Sequence, residues 1–376
     1  MSKLMLLVCD RMADEPLADL DGRTPLEVAK TPQMDALAVK GRVGCASFIP
    51  HSLPAAPDVA MFSVLGFDPK EYYTGLAPLE ALALGLPISD NDWVFRSDLV
   101  TVSEGKMVDD TAGGITSDEA AMLFKELKSK LESPKFRFHA IAGHRHLLVV
   151  REDGKTPALE EGESMSPRAI LGQKTAAWEP KGVLAELIAK SQAILENHEV
   201  NRVRIDLKEN PANRLWLWGQ GRRPKLPDMK SRTGSSASLV TKKRFMRGLG
   251  EALGFQKAAD LSGAQRQDVC VMYHGYEGRT LDLKTKIKHI EAFDAKVVGP
   301  AVEAAGKMKE SPVIVVLSDV VHSTAKKMDT HGHVPYLVQG PGVEATGSGS
   351  FTEKNCAQSG VLTEPGHAFL GAWLKK

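Results

Sequence analysis

Four short apolar runs, two of them ending at an aspartate, set the frame of this chain. Lys3–Cys9 (KLMLLVC) stops at Asp10, and Val313–Leu317 (VIVVL) is followed closely by Asp319. Asp268–Tyr273 and Val334–Val338 are runs of the same kind. Their apolar residues are continuous rather than alternating, which predicts strands covered on both faces and hence a parallel sheet between helices. Helical patterns lie between the runs. One opens at Thr31-Pro32, a cap and first-turn pair, and closes at Gly41; a longer one, Lys284–Met308, is interrupted at Gly299-Pro300. A further strand is expected at Arg42–Ile49 and a short helix at Leu79–Leu86, before Pro87.

The middle of the chain has a different texture. Trp93–Val102 and Arg137–Val150 read as strands around a helix, Asp118–Leu131, capped by Ser117. The acidic stretch Glu152–Pro167 reads as a surface loop, Gly182–Leu195 as a helix, and Arg214–Trp218 as a strand before the loop GQGRRPKLP. At 376 residues the chain has room for two domains. The expectation is a discontinuous α/β core, residues 1–88 and 210–376, with a smaller α+β domain inserted at 89–209.

A formal net charge of +1 gives no electrostatic case for a nucleic-acid or membrane partner, and no window is apolar enough to span a bilayer. The first apolar run is too short for a secretory signal. Cys9, Cys45, Cys270 and Cys356 are scattered, without a CxxC pair, which suits reduced thiols and a cytoplasmic protein. Gly219-Gln220-Gly221 lacks the third glycine of a dinucleotide loop, and no organic cofactor is expected.

Several segments, in order, carry a family resemblance: TPLEVAKTPQMDALA, VLGFDPKEYYTGLAPLEALALGLPI, VFRSDLVTV, AGHRHLLVV, PANRLWLWGQGRRPKLPDMK, and VPYLVQGPG with a late CAQSG. Together they resemble the archaeal-type, cofactor-independent phosphoglycerate mutases of the alkaline phosphatase superfamily. The resemblance implies an alkaline-phosphatase-like core, with helices on both faces of a mostly parallel sheet, interrupted by a substrate-binding-type domain. It also implies transfer of a phosphoryl group between the 3- and 2-oxygens of glycerate through a phosphoserine. Two divalent cations (manganese, magnesium or zinc) would activate the serine and neutralise the transferring group.

Against that template the residues divide. Asp10 matches a metal ligand. The family nucleophile stands in Ser-Asp-Thr-Ala; here the place reads Pro57-Asp58-Val59-Ala60, and proline has no hydroxyl. Ser52 and Ser63 lie nearby, but a shift of several residues moves an oxygen by many ångströms, at roughly 3.3 Å per residue. The family's Asp-x-x-x-His pair falls on Gly275 and Arg279, neither of which binds a divalent cation; Arg279 would bring a positive charge there instead. The family's Asp-His-Ser-Thr aligns in two ways. Without gaps, Asp319 is kept and Val320 replaces the histidine; with two residues inserted, His322-Ser323-Thr324 is the match and His331 the last histidine. Asp10, Asp319, His322 and His331 are therefore the candidate ligands of one divalent metal. In the middle domain Arg96, Asp98, His144 and Arg145 are the candidate substrate contacts, with Lys230 from the basic run that follows. The family segment Asp-Arg-Ala-Gly-Arg reads Asp110-Thr111-Ala112-Gly113-Gly114, without its arginines.

Three functions follow as expectations. The first is a family member that has lost its nucleophile and most of its metal ligands, with little or no mutase activity and a role in binding a small phosphorylated or carboxylated metabolite or a protein partner. The second is a working mutase of glycolysis with a rearranged site around His274, His322, His331 and His333. The third is a single-metal phosphohydrolase that uses water. The sequence leaves the oligomeric state open.

Overall fold

A computed structural model describes residues 3–151, 165–278 and 281–374. By contacts the chain divides into two compact units, residues 1–73 with 225–376 and residues 74–224. The split lies outside the boundaries expected from the sequence: the Arg214–Gly221 strand pairs with Asp92–Ser103 and so belongs to the middle unit.

Among the described residues the outer unit holds an eight-stranded sheet in the order Leu362–Thr363, Arg42–Ala46, Val334–Gln339, Val313–Ser318, Leu4–Cys9, Val269–His274, Ala237–Val240, Gln256–Lys257. It is mostly parallel; only the pairings of Val334–Gln339 are antiparallel. Strands alternate their side chains between faces. Met5, Leu7 and Cys9, with Cys270, Ile314, Val316 and Leu337, share one core with the helices at Pro32–Lys40 and Leu283–Phe293. The other face is covered too. Tyr273 meets Phe245 of the Arg244–Ala252 helix, and Tyr336 meets Phe369 of the Phe369–Leu374 helix. Helices thus lie on both faces of the sheet, as the continuous apolar runs require.

Register is the feature that builds a site. Cys9 is paired in parallel with His274 on one side and with Ser318 on the other. The next residue of each strand therefore emerges at the same carboxyl edge, and those residues are Asp10, Gly275 and Asp319. Carboxyl edges of parallel sheets are where α/β folds place their ligands.

The middle unit is a five-stranded antiparallel sheet. Its core joins Phe95, Leu99, Phe138, Leu148 and Leu217 to the helices Ser117–Leu131 and Gly182–Asn197. The expected single strand Arg137–Val150 is a hairpin, Phe136–Ala142 and Arg145–Arg151, because the chain turns at Gly143, whose φ is +50°. The GQG motif ends a strand rather than forming a phosphate loop. A Cβ on Gly221 would lie 1.9 Å from the Thr74 carbonyl oxygen, so packing accounts for that glycine.

Two expected elements begin differently. Thr116, not Ser117, caps the Ser117–Leu131 helix through a capping box with Glu119. The Lys284–Met308 helix continues past Gly299-Pro300 by a π-helical turn, Asp294–Val298. The strand Ala237–Val240 was not foreseen from the sequence. Most of the expected Glu152–Pro167 loop, and Arg279, lie outside the described residues.

Candidate functional site

Asp10 and Asp319 leave neighbouring strands fully buried at the carboxyl edge. Bare carboxylates cannot remain charged there without partners. Arg11 Nη1 donates to Asp10 Oδ1 at 3.0 Å, Lys243 Nζ lies 3.1 Å from Asp10 Oδ2, and the Tyr276 amide donates to the same oxygen at 3.0 Å. Asp319 accepts from the Arg11 amide at 2.8 Å, from the Val320 amide at 2.7 Å and from the Tyr273 hydroxyl at 2.6 Å.

Arg11 joins this pair to a third carboxylate. Its Nε and Nη2 donate to the two oxygens of Asp329, both at 2.7 Å. Asp329 stands opposite His322 in the small hairpin Val321–Ser323 and Met328–Thr330, and His322 Nδ1 lies 2.7 Å from Asp329 Oδ1. Arg11 reaches both sides from a left-handed backbone, φ 56°. That conformation costs a non-glycine residue about 1–2 kcal/mol and persists only where the surroundings fix it.

The charges follow from these contacts. Burial would raise the Asp10 carboxyl, but Arg11 and Lys243 outweigh it and hold it below the usual carboxylate range. Burial, reinforced by the Asp10 charge, pushes Asp319 up. Burial also opposes ionisation of Asp329, and the Arg11 charge, with His322, overcomes it. Tyr273 is driven well above its ordinary value by burial and then by the two aspartates, so its hydroxyl remains a donor.

Beside this cluster Lys286 is completely buried. Its ammonium donates to the Ala13 carbonyl at 2.9 Å, to Asp14 Oδ2 at 2.8 Å and to the His322 carbonyl at 2.7 Å, so all three N–H groups are engaged.

The residues expected to hold a divalent cation do not fit one. Among the described residues, no group of three or more His, Cys, Asp or Glu side chains is arranged to hold a metal ion. Asp10 and Asp319 adjoin, but His322 is turned onto Asp329, and His331 lies with Nε2 2.9 Å from the Leu53 carbonyl and its ring 5.0 Å from that of His51. The third strand end is Gly275. A Cβ there would lie 2.2 Å from Lys243 Cε, so the lysine stem fills the space a side chain at 275 would need. His274 stacks on His289, and His333 pairs with Glu364, so neither joins Asp10 and Asp319.

The expected nucleophile position is Pro57, the first residue of the helix Pro57–Val64. Proline suits that place because a first-turn residue needs no intrahelical donor. Asp58 follows and accepts from the Tyr73 hydroxyl at 2.5 Å. Ser63 is buried within the same helix, and Ser52 is an exposed residue of the preceding turn.

The expected substrate contacts are split between the units. Arg96 is clamped by Glu80 in a bidentate pair, 2.7 and 2.8 Å, and its guanidinium lies 4.7 Å from the Trp218 ring centre. Asp98 accepts from the Trp218 indole at 2.8 Å. His144 and Arg145 lie at the hairpin turn, the first partly buried and the second exposed. Lys230 is an exposed residue of the short helix Met229–Thr233 in the outer unit. The lysine that reaches the strand-end carboxylate Asp10 is Lys243, which the sequence does not single out. Arg11, Asp329, Lys286 and Tyr273 were also missed; only Arg11, adjacent to Asp10, carried a visible signal.

A family model described as 2,3-bisphosphoglycerate-independent phosphoglycerate mutase matches residues 38–201. A Methanosarcina acetivorans protein of that name is 35% identical over 364 residues, 89% of this chain and 90% of its own length. A Geobacter sulfurreducens protein, named a probable enzyme of the same kind, is 31% identical across 100% of both chains. A solved Pyrococcus horikoshii protein shares the fold with a TM-score of 0.78 at 23% identity, covering 100% of this chain and 97% of its own. The cofactor-independent phosphoglycerate mutase of Thermoplasma acidophilum does so at 0.61 and 24%, covering 100% and 99%. On the full-length similarity to these relatives, the chain belongs to the 2,3-bisphosphoglycerate-independent phosphoglycerate mutase family.

Proposed function

We propose that this family member does not shuttle phosphate through a phosphoserine, and that it acts by binding, with a small phosphorylated or carboxylated metabolite as the class of ligand. The observation that carries the reading is Pro57 at the first position of its helix, where the family pattern has serine. A phosphoserine route needs an oxygen that attacks and leaves, and no arrangement of neighbours gives proline one. The strand-end centre supports the same reading. Two-cation catalysis needs open carboxylates and imidazoles, and here the carboxylates are engaged by Arg11 and Lys243. A single-metal phosphohydrolase needs a metal group that the described residues do not form.

The names of relatives that align along the whole chain favour a second reading, a working mutase. One assay decides between them: conversion of 3-phosphoglycerate to 2-phosphoglycerate by the purified chain, with manganese or magnesium, coupled to a product-consuming enzyme. The expected rate is the blank rate. Pro57→Ser alone is expected to stay at the blank, because it restores the hydroxyl and leaves the two cations in place. Turnover by the unmodified chain that scales with its concentration establishes the second reading.

A further inference from the structure

We propose that a cavity at the amino edge of the eight-stranded sheet binds a free α-amino acid with an apolar side chain. The ligand's carboxylate pairs with Arg42, its ammonium pairs with Glu344, and its side chain lies against Trp373. The site is separate from the strand-end carboxylates and independent of the activity reading.

Its position follows from register. Leu4–Cys9 and Val313–Ser318 run in parallel toward Asp10 and Asp319. Val334–Gln339 runs against them, so its last residue, Gln339, lies beside Ile314 at the opposite edge. Arg42 opens its own strand there, beside Val338. Strands of this length separate the two edges by roughly 20 Å, at about 3.3 Å per residue. At the amino edge Arg42, Gly342, Val343, Glu344 and Trp373 line a cavity of about 190 Å³.

Bonds on both sides of Arg42 fix the walls. The Thr346 amide donates to the Gly41 carbonyl at 3.0 Å, and the Val43 amide donates to the Thr346 hydroxyl at 3.0 Å. These contacts hold the loop after Gln339 against the start of the strand, with Arg42 between them. Within that loop the Val343 amide donates to the Gly340 carbonyl at 3.2 Å, and Gly342 takes a left-handed φ of 72°. The indole is placed from the helix Phe369–Leu374. Trp373 meets the Phe369 ring at 6.3 Å between centres, and Phe369 meets Phe48 and Tyr336 in turn.

The lining selects the ligand. Arg42 is half-buried and offers a planar fork that matches a carboxylate; Glu344 is exposed and accepts from an ammonium. Both line one cavity, yet neither side chain forms an ion pair or hydrogen bond with another described residue. A simple anion would meet the like charge of Glu344, and a simple cation that of Arg42. A zwitterion satisfies both. The Trp373 ring supplies apolar surface for the remaining part of the ligand. The cavity is smaller than the roughly 300–1,000 Å³ usual for drug-sized ligands, which limits the occupant to a single small molecule.

The test uses the full chain, unmodified and as Arg42→Gln and Glu344→Gln, both outside the strand-end centre. Binding of leucine, glycine, N-acetyl-leucine and leucinamide is measured by titration calorimetry at neutral pH, with melting temperatures in parallel. Leucine is expected to bind saturably and to raise the melting temperature of the unmodified chain as its concentration rises. The two blocked derivatives should bind about tenfold more weakly, as should leucine to either variant, since each change removes one charge-assisted pair. The losses should also match in kind. Arg42→Gln should no longer distinguish leucine from leucinamide, and Glu344→Gln should no longer distinguish leucine from N-acetyl-leucine, a pattern that general destabilisation does not produce. Glycine, with no side chain to meet Trp373, should bind more weakly than leucine. Absence of saturable leucine binding overturns the proposal. So does unchanged leucine affinity in either variant, or glycine or a blocked derivative bound as tightly as leucine.

Discussion

Asp98 shows how a single buried group sets a pH dependence. Its Oδ2 accepts from Trp218, and its Oδ1 is buried with no hydrogen-bond partner. Burial pushes the carboxyl up to about 6, against the pull of Arg96. A carboxyl raised in the fold contributes stability below its unfolded value near 3.8 and loses that contribution as pH rises through about 6. Comparison with Asp98→Asn isolates this effect. The stability of the unmodified chain relative to the variant should fall by about 2–3 kcal/mol between pH of about 4 and about 6.5. Denaturant unfolding at a series of pH values checks it, and a flat difference contradicts it. Lys286 gives a second expectation at this scale. Lys286→Met leaves the Asp14 carboxylate buried without its cation and should cost about 3–5 kcal/mol, whereas adding Asp14→Asn should recover part of the loss. A double-mutant cycle that shows no coupling would rule out the ion pair as the cause. How far individual residues were legible in the sequence depended on chain distance. Asp10 and Asp319 were marked by the apolar runs they end. Lys243 was not, because its place depends on the short strand Ala237–Val240 lying in parallel beside Val269–His274, a pairing that leaves no local trace.

Between elements, the same difference separates local from distant signals. Thr31 ahead of Pro32 reads as a cap, yet it makes no side-chain bond to the Pro32–Lys40 helix. Asp294, at the π-helical turn of a distant helix, supplies the carboxylate, accepting from the Gln33 amide at 3.2 Å and the Met34 amide at 2.8 Å. Asp294→Ala should therefore cost about 1–2 kcal/mol in urea unfolding, and Thr31→Ala much less, at most about 0.5 kcal/mol. The reverse order would show that Thr31 caps the helix in solution. The long strands buried on both faces were legible, since continuous apolar runs need no partner to be noticed, whereas the four-residue strand Ala237–Val240, with Ser238 inside it, was not. The Phe136–Arg151 hairpin was read as one strand because apolar residues persist on both sides of its turn; only Gly143, with its positive φ, marks the reversal.

For the whole molecule, the fold class was legible because the sheet and its helices need only patterned hydrophobicity, and the family because several segments in order resemble it. The identity of its cations was not, because charge compensation at the Asp10 edge is assembled from Arg11, Lys243, Lys286, Asp329 and His322 across the length of the chain. Among the described residues no helix is long and apolar enough to cross a membrane. At the carboxyl edge of the sheet, side-chain cations stand against the carboxylates of Asp10 and Asp329, and the neighbouring strand ends in Gly275. The most direct measurement is intact-mass analysis of the pure chain after incubation with phosphoglycerate and manganese, with acid quenching to trap a phosphoenzyme. The expected result is the unmodified mass alone. A phosphoserine adduct that forms with substrate and turns over when the substrate is chased would contradict it.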